Sequence, residues 1–228
     1  AAMPDLHLDP ACVKSEYTYG EILPSGETQT LEFKSADAFD GGGAISVLRS
    51  KASRYIGAFL NSVGGALLIG VEDGGSVSGC VLSDAERTEV VKIMDATVEC
   101  IDPQVEIDSV EPPRFIPIVG GPVDGLCVLI IVVRAARRQP VYYTSPNTSE
   151  AWLRRHESVF RMDNELIRER ENAFAASSGV LLRRTWRHLA SRMIPFDDHI
   201  ASLRAAAARQ PRIWAIERLA HNIFADNA

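Results

Sequence analysis

The stretch YIGAFLNSVGGALLIGVEDG, residues 55–74, changes its hydrophobic period part-way along, and that change decides the architecture. Its first part continues a helical pattern. Val47, Leu48, Ala52, Tyr55, Ile56, Phe59, Leu60 and Val63 recur at three- and four-residue steps, which gathers them on one helix face. Gly64-Gly65 closes that helix in the usual C-terminal manner. Ala66 to Val71 is then a compact apolar run with the length of a buried strand. Glu72-Asp73-Gly74-Gly75 turns the chain towards a second strand, Val77 to Leu82, so a hairpin is expected there. Upstream, Thr28 to Lys34 alternates, with Leu31 and Phe33 on one face and Thr30, Glu32 and Lys34 on the other. A strand–helix–strand unit of this kind predicts an α/β (α+β) fold, a mixed sheet with flanking helices.

Working outward, Ser83 and Glu86 form a capping-box pattern, opening a helix that carries Val90, Ile93, Met94, Val98 and Ile101 and stops before Pro103. Strands are expected over Val105 to Val110, Phe115 to Val119 and Leu126 to Arg134, with short ones near Val141 and Ala151. The first two dozen residues read as an arm and a turn. From Asn164 onward the spacing is helical, broken by Pro195 and Pro211. The expected organisation is an arm over 1–26, a domain over 27–175 and a helical extension over 176–228.

The 228 residues suffice for one sizeable core. The longest apolar stretch, Leu126 to Val133, is too short to cross a bilayer, and no basic-then-apolar leader opens the sequence. Cys12, Cys80, Cys100 and Cys127 form no CxxC pair, so reduced thiols are expected. These features predict an intracellular protein, cytoplasmic or nuclear, with no membrane partner. The net charge of -6 is uneven. Residues 1–133 carry -12 and residues 134–228 carry +6, an acidic half suited to cations beside a basic half suited to phosphates.

Three motifs follow one another: Glu27-x-x-x-x-Glu32-Phe33-Lys34, then Tyr55 to Asn61 with Gly64-Gly65, then Leu68-Ile69-Gly70-Val71-Glu72-Asp73-Gly74. In order and spacing the set resembles the Schlafen AlbA-type domain, and the resemblance continues to Trp152-Leu153-Arg154-Arg155 and Ser158-Val159. The resemblance implies a single Schlafen AlbA-type lobe plus a helical C-terminal part. It also implies an RNA-binding groove and, as in nucleolytic members, cleavage of tRNA-like or small RNA precursors by Glu27, Glu32 and Asp73. The insertion containing Gly41-Gly42-Gly43 departs from the pattern, and the zinc-binding Cys/His cluster of vertebrate members is not recognisable.

On this reading the three carboxylates hold Mg²⁺ or Mn²⁺, whose charge offsets that of the attacked phosphate and lowers the pKa of a bound water. Glu27 and Glu32 are five apart, so Glu27 must leave the strand if both are to face one ion. Lys34 is either a contact to the scissile phosphate or a residue that flanks the strand. Asn61 is read as a helix-terminal hydrogen-bonding residue. Arg134, Arg137, Arg138, Arg154 and Arg155 are candidate RNA contacts, with Tyr142, Tyr143 and Trp152 available for stacking, or else a solvated face over ordinary core aromatics. Two functions follow: a metal-dependent endoribonuclease, or a non-catalytic nucleic-acid-binding or assembly subunit. A single lobe presents one wall of a groove, so pairing with itself or a related lobe is expected. Aromatic residues after Ser178, among them Trp186 and Trp214, are the candidate interface.

Overall fold

The computed structural model describes residues 8–9, 11–36, 43–106, 108–136, 140–145 and 150–176. The chain divides into two units, Ala1–Phe174 and Ala175–Ala228. The expected C-terminal helices beyond residue 176, with their aromatic residues, lie outside the described residues.

The first unit is built on a mixed sheet whose strands are β1 (Tyr17–Thr18), β2 (Leu31–Lys34), β3 (Gly64–Ile69), β4 (Cys80–Val81), β5 (Arg114–Val119) and β6 (Leu126–Arg134). Their order is β1-β5-β6-β3-β2, with β4 also paired to β6. The α1 helix (Gly43–Leu60) connects β2 to β3, and the two strands run parallel, as a helical crossover permits. α2 (Asp84–Glu99) follows β4. β7 (Trp152–Arg155) and β8 (Ser158–Arg161) form a separate antiparallel hairpin.

β6 has no polar alternation because both its faces are covered. Cys127, Leu129, Ile131 and Val133 pack with α1 and α2, whereas Val128, Ile130 and Val132 pack with Cys12, Tyr17 and Leu23. The N-terminal segment is therefore more than an arm. Tyr17 pairs in parallel with Ile118, and the apolar side chains around it cover the second face of the sheet.

The capping box at α2 forms as expected: Ser83 Oγ accepts from the Glu86 amide and the Glu86 carboxylate accepts from the Ser83 amide. The expected hairpin after β3 is reduced to its tip. Val71 bridges Val77, but the chain then crosses away and β4 pairs with β6. Gly70 (φ +100°) and Gly79 (φ +76°) make the crossing, and a Cβ on Gly70 would lie 2.9 Å from the Gly79 Cα. Among the described residues of 105–110 there is no strand, only a Val110–Val133 bridge. α1 ends at Leu60, earlier than expected, and Gly64 already belongs to β3. Helical backbone covers 164–176, with the Leu166 amide donating to Asp163 Oδ1 at 2.8 Å. No helix among the described residues is long and apolar enough to cross a membrane.

Candidate functional site

Strand geometry sets the site. Leu31 and Phe33 enter the core cluster on the N-terminal-segment side, so Glu32 and Lys34 face the other way, in register with Leu67 and Ile69 beneath α1. Glu32 is thereby carried into the interior, with only 4% of its surface exposed. A buried carboxylate needs compensating partners. Lys34 Nζ meets Glu32 Oε1 at 2.8 Å, and the Arg154 guanidinium closes on Glu32 Oε2.

Glu27 leaves the strand as expected and folds back over it. Its Oε1 accepts the Phe33 amide at 3.0 Å and lies 3.4 Å from Lys34 Nζ. The two glutamates thus converge on one ammonium, which also donates to the Phe33 carbonyl at 2.5 Å. Burial alone would pull the Lys34 pKa down, but the hydrogen bond and charge of Glu32, with Tyr55 and Glu27, outweigh it and the pKa rises. Tyr55, from the last turns of α1, is pushed up to about 12, first by burial and then by the Glu32 charge. It belongs to this cluster, although the sequence presents it only as one of the apolar-face positions of α1.

Arg154 arrives from β7. Its Nε donates to the Thr28 carbonyl at 2.7 Å and its Nη2 to the Leu31 carbonyl at 2.5 Å, so the guanidinium also satisfies backbone before and within edge strand β2. Within β7, Trp152 and Arg154 share one face and Leu153 and Arg155 the other. Arg154 is 1% exposed, so it is an internal partner and not an RNA contact on an open groove.

The segment after α1 holds β7 in place. Asn61 Nδ2 donates to the carbonyls of Tyr142 (2.8 Å) and Trp152 (2.9 Å), and its Oδ1 accepts the Tyr142 amide at 2.7 Å. Ser62 Oγ donates to the Arg154 carbonyl and accepts the Arg154 amide, both at 2.9 Å. Asn61 therefore does hydrogen-bond past the helix end, and its partners lie in the segments that position Arg154. Gly65 is required nearby, because a Cβ there would lie 2.2 Å from the Phe59 ring and 2.8 Å from the Thr30 carbonyl oxygen.

Asp73 lies exposed in the turn following β3, and neighbouring Glu72 accepts from Ser78 Oγ at 2.6 Å. A carboxylate-held divalent cation needs several anionic oxygens free to coordinate it. Here Glu27 and Glu32 are balanced by Lys34 and Arg154. Among the described residues no group of three His, Cys, Asp or Glu side chains is arranged to hold a metal ion. The residues as placed do not fit a three-carboxylate Mg²⁺ or Mn²⁺ centre.

Of the other candidate RNA contacts, Arg155 is exposed and lies over the Phe160 ring at 5.3 Å, while Arg134 pairs with Glu111 at 2.8 Å. Arg137 and Arg138 lie outside the described residues. Tyr142 is buried, Tyr143 is half-buried, and the half-buried Trp152 stacks beneath the Arg54 guanidinium at 4.6 Å. Arg54 also donates to the Val159 carbonyl, tying α1 to the hairpin.

The Schlafen, AlbA_2 family matches residues 27–163, the segment from Glu27 to just beyond β8. This chain belongs to the Schlafen AlbA_2 family. Membership gives it a nucleic-acid-related function. The Schlafen AlbA_2 segment begins at Glu27 and contains the whole Glu27–Glu32–Lys34–Arg154 cluster. A solved structure, the DIP2311 protein from Corynebacterium diphtheriae, is similar at 19% identity with a TM-score of 0.41, over 64% of this chain and 24% of that one. This chain thus spans about a quarter of the length of that protein.

Proposed function

We propose that this Schlafen AlbA_2 lobe grips RNA without cutting it, as a binding or assembly subunit. The observation that carries this reading is the charge balance at Glu32: its carboxylate is engaged by Arg154 on one oxygen and Lys34 on the other. Such an arrangement stabilises a particular packing of β2 against β7 and leaves little anionic character for a cation. Phosphate contacts then fall to exposed basic groups, with Arg155 and Arg161 of the hairpin as the first candidates. Arg161 is 57% exposed in its side chain and only loosely paired with Glu150 at 3.5 Å. A second lobe, another copy or a relative, supplies the opposite wall of the groove.

The endoribonuclease reading has one observation in its favour, the convergence of Glu27 and Glu32 on a single point. It requires Lys34 to yield that point and Asp73 to join it. Fluorescence anisotropy with a labelled structured RNA tests the binding reading. Affinity should fall steeply as salt rises, and Arg155→Glu with Arg161→Glu should weaken it across RNA sequences. Binding indifferent to salt and to both substitutions would remove the proposal.

A further inference from the structure

Cys80 and Cys127 are direct partners in the antiparallel β4–β6 pair. Opposed residues in such a pair have Cα atoms about 4.5 or 5.5 Å apart, and both spacings lie inside the ~4.4–6.8 Å window that a disulfide requires. The thiols also approach one another. Cys80 Sγ donates to the Cys127 carbonyl at 3.4 Å, and Cys127 Sγ donates to the Cys80 carbonyl at 3.5 Å. Both are free thiols buried on the helical face of the sheet with Leu82, Val90 and Met94.

We propose that Cys80 and Cys127 form a reversible dithiol–disulfide pair that a small-molecule disulfide of the glutathione type oxidises. This inference is independent of how the chain handles RNA. One thiolate attacks the small disulfide, forming a mixed disulfide and releasing one small thiolate. The second cysteine then attacks the mixed disulfide, passing its proton to the second leaving thiolate. Two protein thiols are oxidised to one disulfide, and one small disulfide is reduced to two thiols.

Either thiol can attack first: burial opposes ionisation of both, and the Arg87 charge favours the thiolate of both. Access comes through β4, which is only two residues long and ends at the exposed Val81. Short elements with few ladder bonds open locally at low cost. The bond would staple β4 to the central strand, just ahead of α2. Cys12, buried against Ser25, and the exposed Cys100 serve as internal controls.

The test exposes the folded wild-type chain to oxidised glutathione, alkylates remaining thiols after unfolding, and maps the products by mass spectrometry. The expected product is lighter by two hydrogens, contains a linked Cys80–Cys127 peptide and returns to the dithiol form with dithiothreitol. Cys80→Ser should instead accumulate a mixed disulfide on Cys127. Full alkylation of Cys80 and Cys127 with modification confined to Cys100, or the same loss of two hydrogens in Cys80→Ser, would overturn the proposal.

Discussion

Arg154 closes on the Glu32 carboxylate from 122 residues downstream, joining the edge strand of the sheet to the β7–β8 hairpin through an ion pair sealed from solvent. Its worth is best judged by removing one side. A buried charge stripped of its partner costs ~3–5 kcal/mol, more than the intact pair contributes over an apolar replacement. Arg154→Met should therefore lower stability in chemical denaturation by about that amount. Arg155→Ala, one residue away but exposed, should change it by less than about 0.5 kcal/mol and act on RNA affinity instead. Equal losses in the two variants would contradict the inward placement of Arg154.

The Lys34–Tyr55 pair predicts a response to alkali. Tyr55 has its pKa raised from 10.0 to about 12, and the Lys34 pKa is raised as well. A raised folded-state value gives stability that is complete below the unfolded value and is lost as pH rises through the folded one. Stability should thus decline from about pH 10 towards pH 12. Tyr55→Phe should flatten part of that decline, measured as denaturation midpoint against pH. An unchanged slope would show that Tyr55 does not titrate as described.

Asn61→Ala should destabilise strongly, because it removes the Asn61 hydrogen bonds to the Tyr142 amide and to the Tyr142 and Trp152 carbonyls. Each orphaned group that stays buried costs about 1–3 kcal/mol. Hydrogen exchange should quicken first at Tyr142 and β7, since these are the segments Asn61 holds. Uniform exchange with only a minor midpoint change would argue against that role.

Much of this architecture is legible in the sequence, and the exceptions have physical causes. The Leu126 to Arg134 strand shows itself because it is apolar on both faces, and the Ser83–Glu86 cap because its two hydrogen bonds are local. The ends of α1 and the hairpin after β3 are less legible. Gly70 and Gly79 look like turn residues, but they act as the crossing point that sends β4 to another strand. Alternation says that one of Arg154 and Arg155 faces inward, not which. That choice depends on the buried Glu32, a contact across the whole domain. Tyr17 gives no periodic signal, because a two-residue strand is too short to have one, and Cys12 lies in a turn.

The most direct test of the central claim, an RNA-gripping lobe with a charge-balanced glutamate cluster, is incubation of the purified chain with structured RNA in saturating Mn²⁺, read on a native gel for binding and on a denaturing gel for cleavage. The account predicts RNA that is bound yet intact at the end of the reaction. Cleavage that depends on Mn²⁺ and disappears in both Glu27→Gln and Asp73→Asn would contradict it and establish the endoribonuclease.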